Sequence, residues 1–190
     1  MLSARFRRYS DAVMLPLGGF FAKSGISPNV VTILGLLASA AAAWAFAYGN
    51  LVYALLLLVL TSFFDILDGA VAKATGKVTK FGGFLDSVVD RYSDALILIG
   101  IAMYLGGHYI LVMVVIVGCI LVSYTRARAE NFIEKCDVGF AERAERLIVL
   151  LFATLLGAIG IDLFYETLII LAIITHLTVL QRVLFTKKNI

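Results

Sequence analysis

The sequence predicts an all-α, polytopic membrane protein, with six transmembrane helices behind an amphipathic helix lying on the membrane surface. Three observations carry that expectation. Of the 190 residues, 62% are hydrophobic and 15% charged, with a mean hydropathy of +0.99. A soluble domain has about 45–50% and about 25%. The apolar residues fall into runs close to the roughly 20 residues that a helix needs to cross a bilayer. The 16 Lys and Arg residues stand near termini and connections of one side, as in chains whose basic loops stay cytoplasmic. A single membrane domain over residues 1–190 follows, with the six-helix bundle at 28–190.

Residues 1–27 carry Arg5, Arg7 and Arg8, then Phe6, Val13, Met14, Leu17, Phe20 and Phe21 as the apolar face of an interfacial helix. A disordered basic tail is the alternative. No apolar core with a small-residue cleavage site follows the arginines, so a secretory signal is not expected. Ser27-Pro28-Asn29 ends this segment and opens the first span, because Pro fits the first helical turn. The spans are expected at about 29–49, 51–73, 82–106, 109–130, 146–161 and 163–184. The fifth is short and is expected to begin near Phe140, in the interfacial layer. Tyr48 to Asn50, Gly106 to His108 and Ile161 to Glu166 hold no basic residue. Both termini and the Lys73–Lys80 loop are therefore placed in the cytoplasm, and the chain in the cell membrane. The net charge of +3 comes from residues at membrane ends, where anionic lipid headgroups, not nucleic acid, are the expected partners. Cys119 inside a span and Cys136 on the cytoplasmic side are not expected to pair in a reducing compartment.

The second and third spans hold the chemistry. Asp65-Ile-Leu-Asp68-Gly69 precedes Lys73, and Gly82-Gly83-Phe-Leu-Asp86 leads to Asp90. A carboxylate within a span is costly unless paired or metal-bound. Asp65 lies about 14 residues, roughly 21 Å, into an inward-running span. Asp86 and Asp90 lie about 5–9 residues into the returning one, at the same depth. Asp65 and Asp68 are i, i+3 and Asp86 and Asp90 are i, i+4, so each pair shares a helix face. The short loop makes the two helices antiparallel neighbours, and the faces converge into a cage of hard oxygen ligands for Mg2+ or Mn2+. Gly69, Gly82 and Gly83 permit close approach, while Lys73, Lys77 and Thr79 flank the mouth. Asp94, one turn further, is expected to support the cage.

This pattern resembles the signature of the CDP-alcohol phosphotransferases, Asp-x2-Asp-Gly-x2-Ala-Arg-x8-Gly-x3-Asp-x3-Asp. Asp65, Asp68, Gly69, Ala72, Lys73, Gly82, Asp86 and Asp90 stand at its eight fixed positions, with Lys73 in place of Arg. The resemblance extends to the Ser-Pro-Asn-x-x-Thr opening of the first span. It implies a six-span homodimer that transfers a phosphatidyl-type group from a CDP-lipid, CDP-diacylglycerol or CDP-archaeol, to an alcohol, releasing CMP. By position it implies that Asp65, Asp68, Asp86 and Asp90 hold two metal ions and that Asp90 is also the general base. Asn29, Thr32, Gly69, Lys73 and Thr79 would then contact the CDP-lipid.

A second polar cluster bears on the acceptor. Tyr124-Thr-Arg126-Ala-Arg128-Ala-Glu130 closes the fourth span, Glu142-Arg143-Ala-Glu145-Arg146 opens the fifth and Arg182 closes the sixth. Convergent arginines suit a phosphate; arginines anchoring membrane ends are the alternative. The runs resemble the phosphatidylinositol-phosphate synthase branch and its archaeal counterpart. That resemblance implies an inositol-phosphate pocket at Arg126, Arg143 and Arg182, with glycerol 3-phosphate as the rival acceptor. A cation-coupled transporter and a membrane scaffold are the readings from other classes. Transporters place their carboxylates nearer the midplane, within repeats, and a scaffold leaves the acids unexplained.

Overall fold

The computed structural model describes residues 16–21 and 25–190, all helix, turn or irregular chain without a strand among them. Most of the expected interfacial helix lies outside the described residues. Its last part, residues 16–21, is helical and packs on the bundle. A Cβ at Gly18 would stand 2.7 Å from the Ala70 carbonyl, and Phe21 packs on Val31, Leu67 and Val71.

Six long helices follow: α1 Pro28–Ala47, α2 Leu51–Thr75, α3 Lys80–Tyr104, α4 Tyr109–Ala129, α5 Arg143–Ala158 and α6 Phe164–Asn189. Their boundaries have local causes. Ser27 caps α1 by accepting the Val30 N–H, and Pro28 occupies the first turn. Gly76, at φ +64°, ends α2 in the left-handed conformation that glycine adopts most cheaply. Thr79 caps α3, its Oγ1 accepting the Gly82 N–H at 2.9 Å. The turn from Gly76 to Thr79 joins α2 to α3 but, contrary to the expectation from the short loop, the two do not pack on one another; each packs on α1, which leaves a gap between them. α5 begins at Arg143 and not near Phe140, because residues 131–142 leave the helix path and tie to α6. The Phe140 and Ala141 N–H groups donate to Thr178 Oγ1, each at 3.2 Å.

α1 packs against α2 and α3, α4 lies along α6, and α5 bridges α2 to α6. One apolar core draws on all six helices. It fills the half of the bundle farthest from the Gly76–Thr79 turn, where Phe46, Tyr104 and Phe164 meet edge to face. The other half holds the polar pocket beside the smaller apolar cluster of Val31, Leu67 and Val71.

Among the described residues four helices, α1, α2, α4 and α6, are long and apolar enough to cross a membrane. This is a membrane protein, but two of the six expected spans differ in character. α3 has the length, yet residues 80–94 carry Lys80, Asp86, Asp90, Arg91 and Asp94. α5 has only 16 residues.

Candidate active site

The site forms where the second half of α2 faces the first half of α3. One carboxylate oxygen from each of Asp65, Asp86 and Asp90 lies within 4.8 Å of the others. Helical spacing puts Asp65 on one wall and Asp86 and Asp90 on the facing one. Asp68, one turn below Asp65, is buried, and its Oδ2 accepts a 2.6 Å hydrogen bond from Thr32 Oγ1 on α1. The four aspartates line one pocket with Thr32, Gly35, Thr61, Ser93 and Arg143.

Arg143 enters this pocket from the start of α5. Its Nη1 pairs with Asp65 Oδ1 and stands 2.7 Å from Asp90 Oδ1, while its Nε reaches Asp94 Oδ1 at 3.4 Å. Asp94 is held in turn by Arg146 Nη2 at 2.5 Å, and Arg146 Nη1 donates to the Ala141 carbonyl at 2.7 Å. Four carboxylates in one pocket repel one another; a guanidinium among them offsets part of that cost.

At the pocket mouth, Asn29 and Thr79 converge on Gly82. A Cβ there would stand 3.1 Å from Thr79 Oγ1 and 3.5 Å from Asn29 Oδ1. Gly69 and Lys73, one turn apart on α2, are both exposed, and a Cβ at Gly69 would meet nothing within 4 Å. Packing therefore does not require glycine at residue 69.

The three arginines expected in one pocket divide between two. Arg126 pairs with Glu130 at 3.1 Å, Asp137 at 3.2 Å and Glu142 at 3.3 Å. Arg182 is almost wholly buried. Its Nε donates to the Val138 carbonyl at 2.9 Å and its Nη1 to the Val122 carbonyl, and its Nη2 lies 3.7 Å from Glu142. Arg126 and Arg182 thus meet through Glu142, while Arg143, the next residue, faces the aspartates. The sequence had no signal for the Asp94–Arg146 pair, 52 residues apart, or for Thr32 as partner of Asp68, 36 residues away. Glu142 lay inside a run read for its arginines.

The family model described as CDP-alcohol phosphatidyltransferase matches residues 25–184. The archaetidylinositol phosphate synthase of Pyrococcus horikoshii is 42% identical over 177 residues, 92% of this chain and 90% of its own. The crystal structure of Mycobacterium tuberculosis phosphatidylinositol phosphate synthase with CDP-DAG bound matches with a TM-score of 0.82 at 31% identity, covering 92% of this chain and 94% of that one. A second structure of that enzyme, in complex with manganese and citrate, matches with a TM-score of 0.82 at 32% identity, over 91% and 88%.

Proposed function

The chain is an enzyme of the CDP-alcohol phosphatidyltransferase family, and we propose that it transfers a phosphatidyl-type group from a CDP-lipid to myo-inositol 1-phosphate, releasing CMP. The observation that carries the reading is the convergence of Asp65, Asp86 and Asp90, with Arg143 among them and Arg126 and Arg182 joined through the adjoining Glu142. Family membership sets the transporter and scaffold readings aside.

The donor set fits a divalent metal. Asp65, Asp68, Asp86 and Asp90 offer hard oxygens at one pocket, the chemistry of Mg2+ or Mn2+ sites, and the mycobacterial relative has been crystallised with manganese. These residues would hold two such ions, which when bound neutralise diphosphate charge and favour in-line displacement at phosphorus. Asn29, Gly69, Lys73 and Thr79 receive the CDP portion at the mouth, where Gly69 leaves room for it. Thr32 acts on Asp68, whose carboxylate it orients. Asp90, as general base, takes the proton of the acceptor hydroxyl. The alcohol oxygen then bonds to the lipid-linked phosphorus as the bond to CMP breaks. Arg126, Arg143 and Arg182 favour a phosphorylated acceptor, and would repel a cationic alcohol such as choline.

α3 completes a third span, its charged half turned into the pocket, and α5 a short fifth. The bundle over 28–190 then acts as one unit, with the aspartates and both termini on the cytoplasmic side. The resemblance also supports a homodimer, which cross-linking in native membranes would test.

The deciding experiment supplies CDP-diacylglycerol or CDP-archaeol with inositol 1-phosphate, free inositol or glycerol 3-phosphate, and identifies the products by mass spectrometry. Metal-dependent CMP release with inositol 1-phosphate is expected. Efficient turnover with glycerol 3-phosphate alone would replace the acceptor. Arg126→Ala should weaken use of inositol 1-phosphate by about 10- to 150-fold, since a hydrogen bond to a charged group contributes roughly 1.5–3 kcal/mol, and should leave CDP-lipid affinity unchanged.

A further inference from the structure

Glu142 has no assigned part in this chemistry, and its placement is unusual for an anion pocket. It holds the N-cap position of α5 with extended backbone, φ −66° and ψ 166°, yet its side chain caps nothing. It turns to the arginines instead. Oε1 lies 3.3 Å from Arg126 Nη1 and 3.7 Å from Arg182 Nη2, so one oxygen spans both guanidiniums. The backbone that carries it is fixed from three sides. Thr178 Oγ1 accepts the Phe140 and Ala141 N–H groups, Arg146 holds the Ala141 carbonyl and Arg182 the Val138 carbonyl.

A pocket built for phosphate alone gains nothing from a carboxylate between its guanidiniums, because the two anions repel. A carboxylate accepts hydrogen bonds and cannot donate them. It therefore favours a ligand that presents hydroxyl donors beside its phosphate, and it works against an anion that has none. Both arginine contacts use Oε1, and Glu142 keeps about a third of its side chain exposed, so Oε2 can take a hydroxyl. Resting on the reading of a phosphorylated polyol as acceptor, we propose that Glu142 is a specificity-determining residue. It accepts a hydroxyl of the polyol phosphate whose phosphate Arg126 binds, and it discriminates against hydroxyl-free anions.

The test is Glu142→Gln, which keeps the shape and removes the charge. Two quantities are compared with the native enzyme: the KM for inositol 1-phosphate, and the competitive inhibition constant against it of sulfate, an anion with no hydroxyl at neutral pH. Glu142 should move them in opposite directions. KM should rise about 10-fold, the lower end of what a hydrogen bond to a charged group contributes, because the residue is partly exposed. Sulfate should inhibit several-fold more tightly, since the repelling carboxylate is gone. Parallel weakening of both would reduce Glu142 to a strut for the arginines and overturn the proposal, as would no change in either. An unchanged KM for the CDP-lipid verifies an intact fold. If Glu142→Gln fails to fold, Glu142→Asp retains the charge and withdraws the oxygen, so KM should rise with sulfate inhibition unaltered; equal losses in both would again overturn the proposal. If the native enzyme uses glycerol 3-phosphate and not inositol 1-phosphate, the acceptor reading fails. The same comparison with glycerol 3-phosphate still decides the role of Glu142.

Discussion

The hydroxyl of Thr32 sets the orientation of the most buried carboxylate in the pocket. Its 2.6 Å bond to Asp68 works like the outer partner of a metal ligand, and losing such a partner typically costs about 10–100-fold in metal affinity or activity. Thr32→Val should therefore cut CMP release by about that factor at low metal, with partial rescue at high metal, while Thr32→Ser should retain most activity. Asp65→Asn, Asp68→Asn and Asp86→Asn remove a charged ligand outright and should fall further, with the fold retained. Asp90→Asn should lose turnover yet keep measurable CDP-lipid binding, because three carboxylates stay in place. Metal titrations of CMP release and binding of the labelled CDP-lipid check these outcomes together. Full turnover in any two of the Asp65, Asp68 and Asp86 variants would overturn the metal cage. The aspartates were legible in the sequence because helical spacing sets which of them share a face; that α2 and α3 are held apart by their packing on α1 was not, because a short loop does not force two helices together. Thr32 as their partner was not, because a contact between helices 36 residues apart leaves no periodic trace. Nor was the separation of Arg143 from Arg126 and Arg182: it arises from the turn at Glu142, where successive side chains diverge.

At the level of helices, two glycines with the same backbone chemistry do opposite work. A Cβ at Gly100 would stand 2.5 Å from the Ala43 carbonyl oxygen, so glycine sets how closely α3 approaches α1. The hydrogen bond between Ser39 and Ser93, 3.1 Å across the same interface, depends on that approach. Gly100→Ala forces the two backbones apart and should cost about 1–3 kcal/mol, as overpacking does. Gly69→Ala meets open space and should leave stability unchanged or raise it by up to about 1 kcal/mol, the helix-propensity gain, while raising the KM for the CDP-lipid. Thermal unfolding in detergent beside steady-state kinetics separates the two. Equal destabilisation by both, or a Gly69→Ala enzyme with native kinetics, would break the assignment of Gly69 to the substrate. From sequence alone these glycines look alike. Only the neighbour across the interface, supplied by the fold, distinguishes them.

For the molecule as a whole, the open question is how many times the chain crosses the bilayer. Apolar length made α1, α2, α4 and α6 legible as spans. α3 and α5 are harder to read, for physical reasons: the site's charges lower the hydropathy of α3, and α5 at 16 residues reaches only about 24 Å at about 1.5 Å per residue, short of the roughly 30 Å hydrocarbon core. The pocket itself answers part of the difficulty. Asp90 and Asp94 pair with Arg143 and Arg146, and Asp86 faces Asp65 and Asp90 in the pocket, so these carboxylates turn into the bundle and not toward lipid. The exposed face of α3 carries Phe81, Phe84, Tyr92, Ile99 and Met103, with aromatic residues toward its Lys80 end, where a membrane interface favours them. If the chain crosses six times as proposed, Lys77 and Glu134 would lie on the cytoplasmic side and Gly107 and Ile161 on the other. Cys119 and Cys136 are both buried, so single cysteines introduced at these connections, exposed at Lys77, Glu134 and Ile161 and half-buried at Gly107, dominate labelling. In right-side-out vesicles an impermeant maleimide should label Gly107→Cys and Ile161→Cys, and it should reach Lys77→Cys and Glu134→Cys only after permeabilisation. Labelling of Lys77→Cys and Gly107→Cys from one side would show that α3 does not cross. The same result for Glu134→Cys and Ile161→Cys would remove α5.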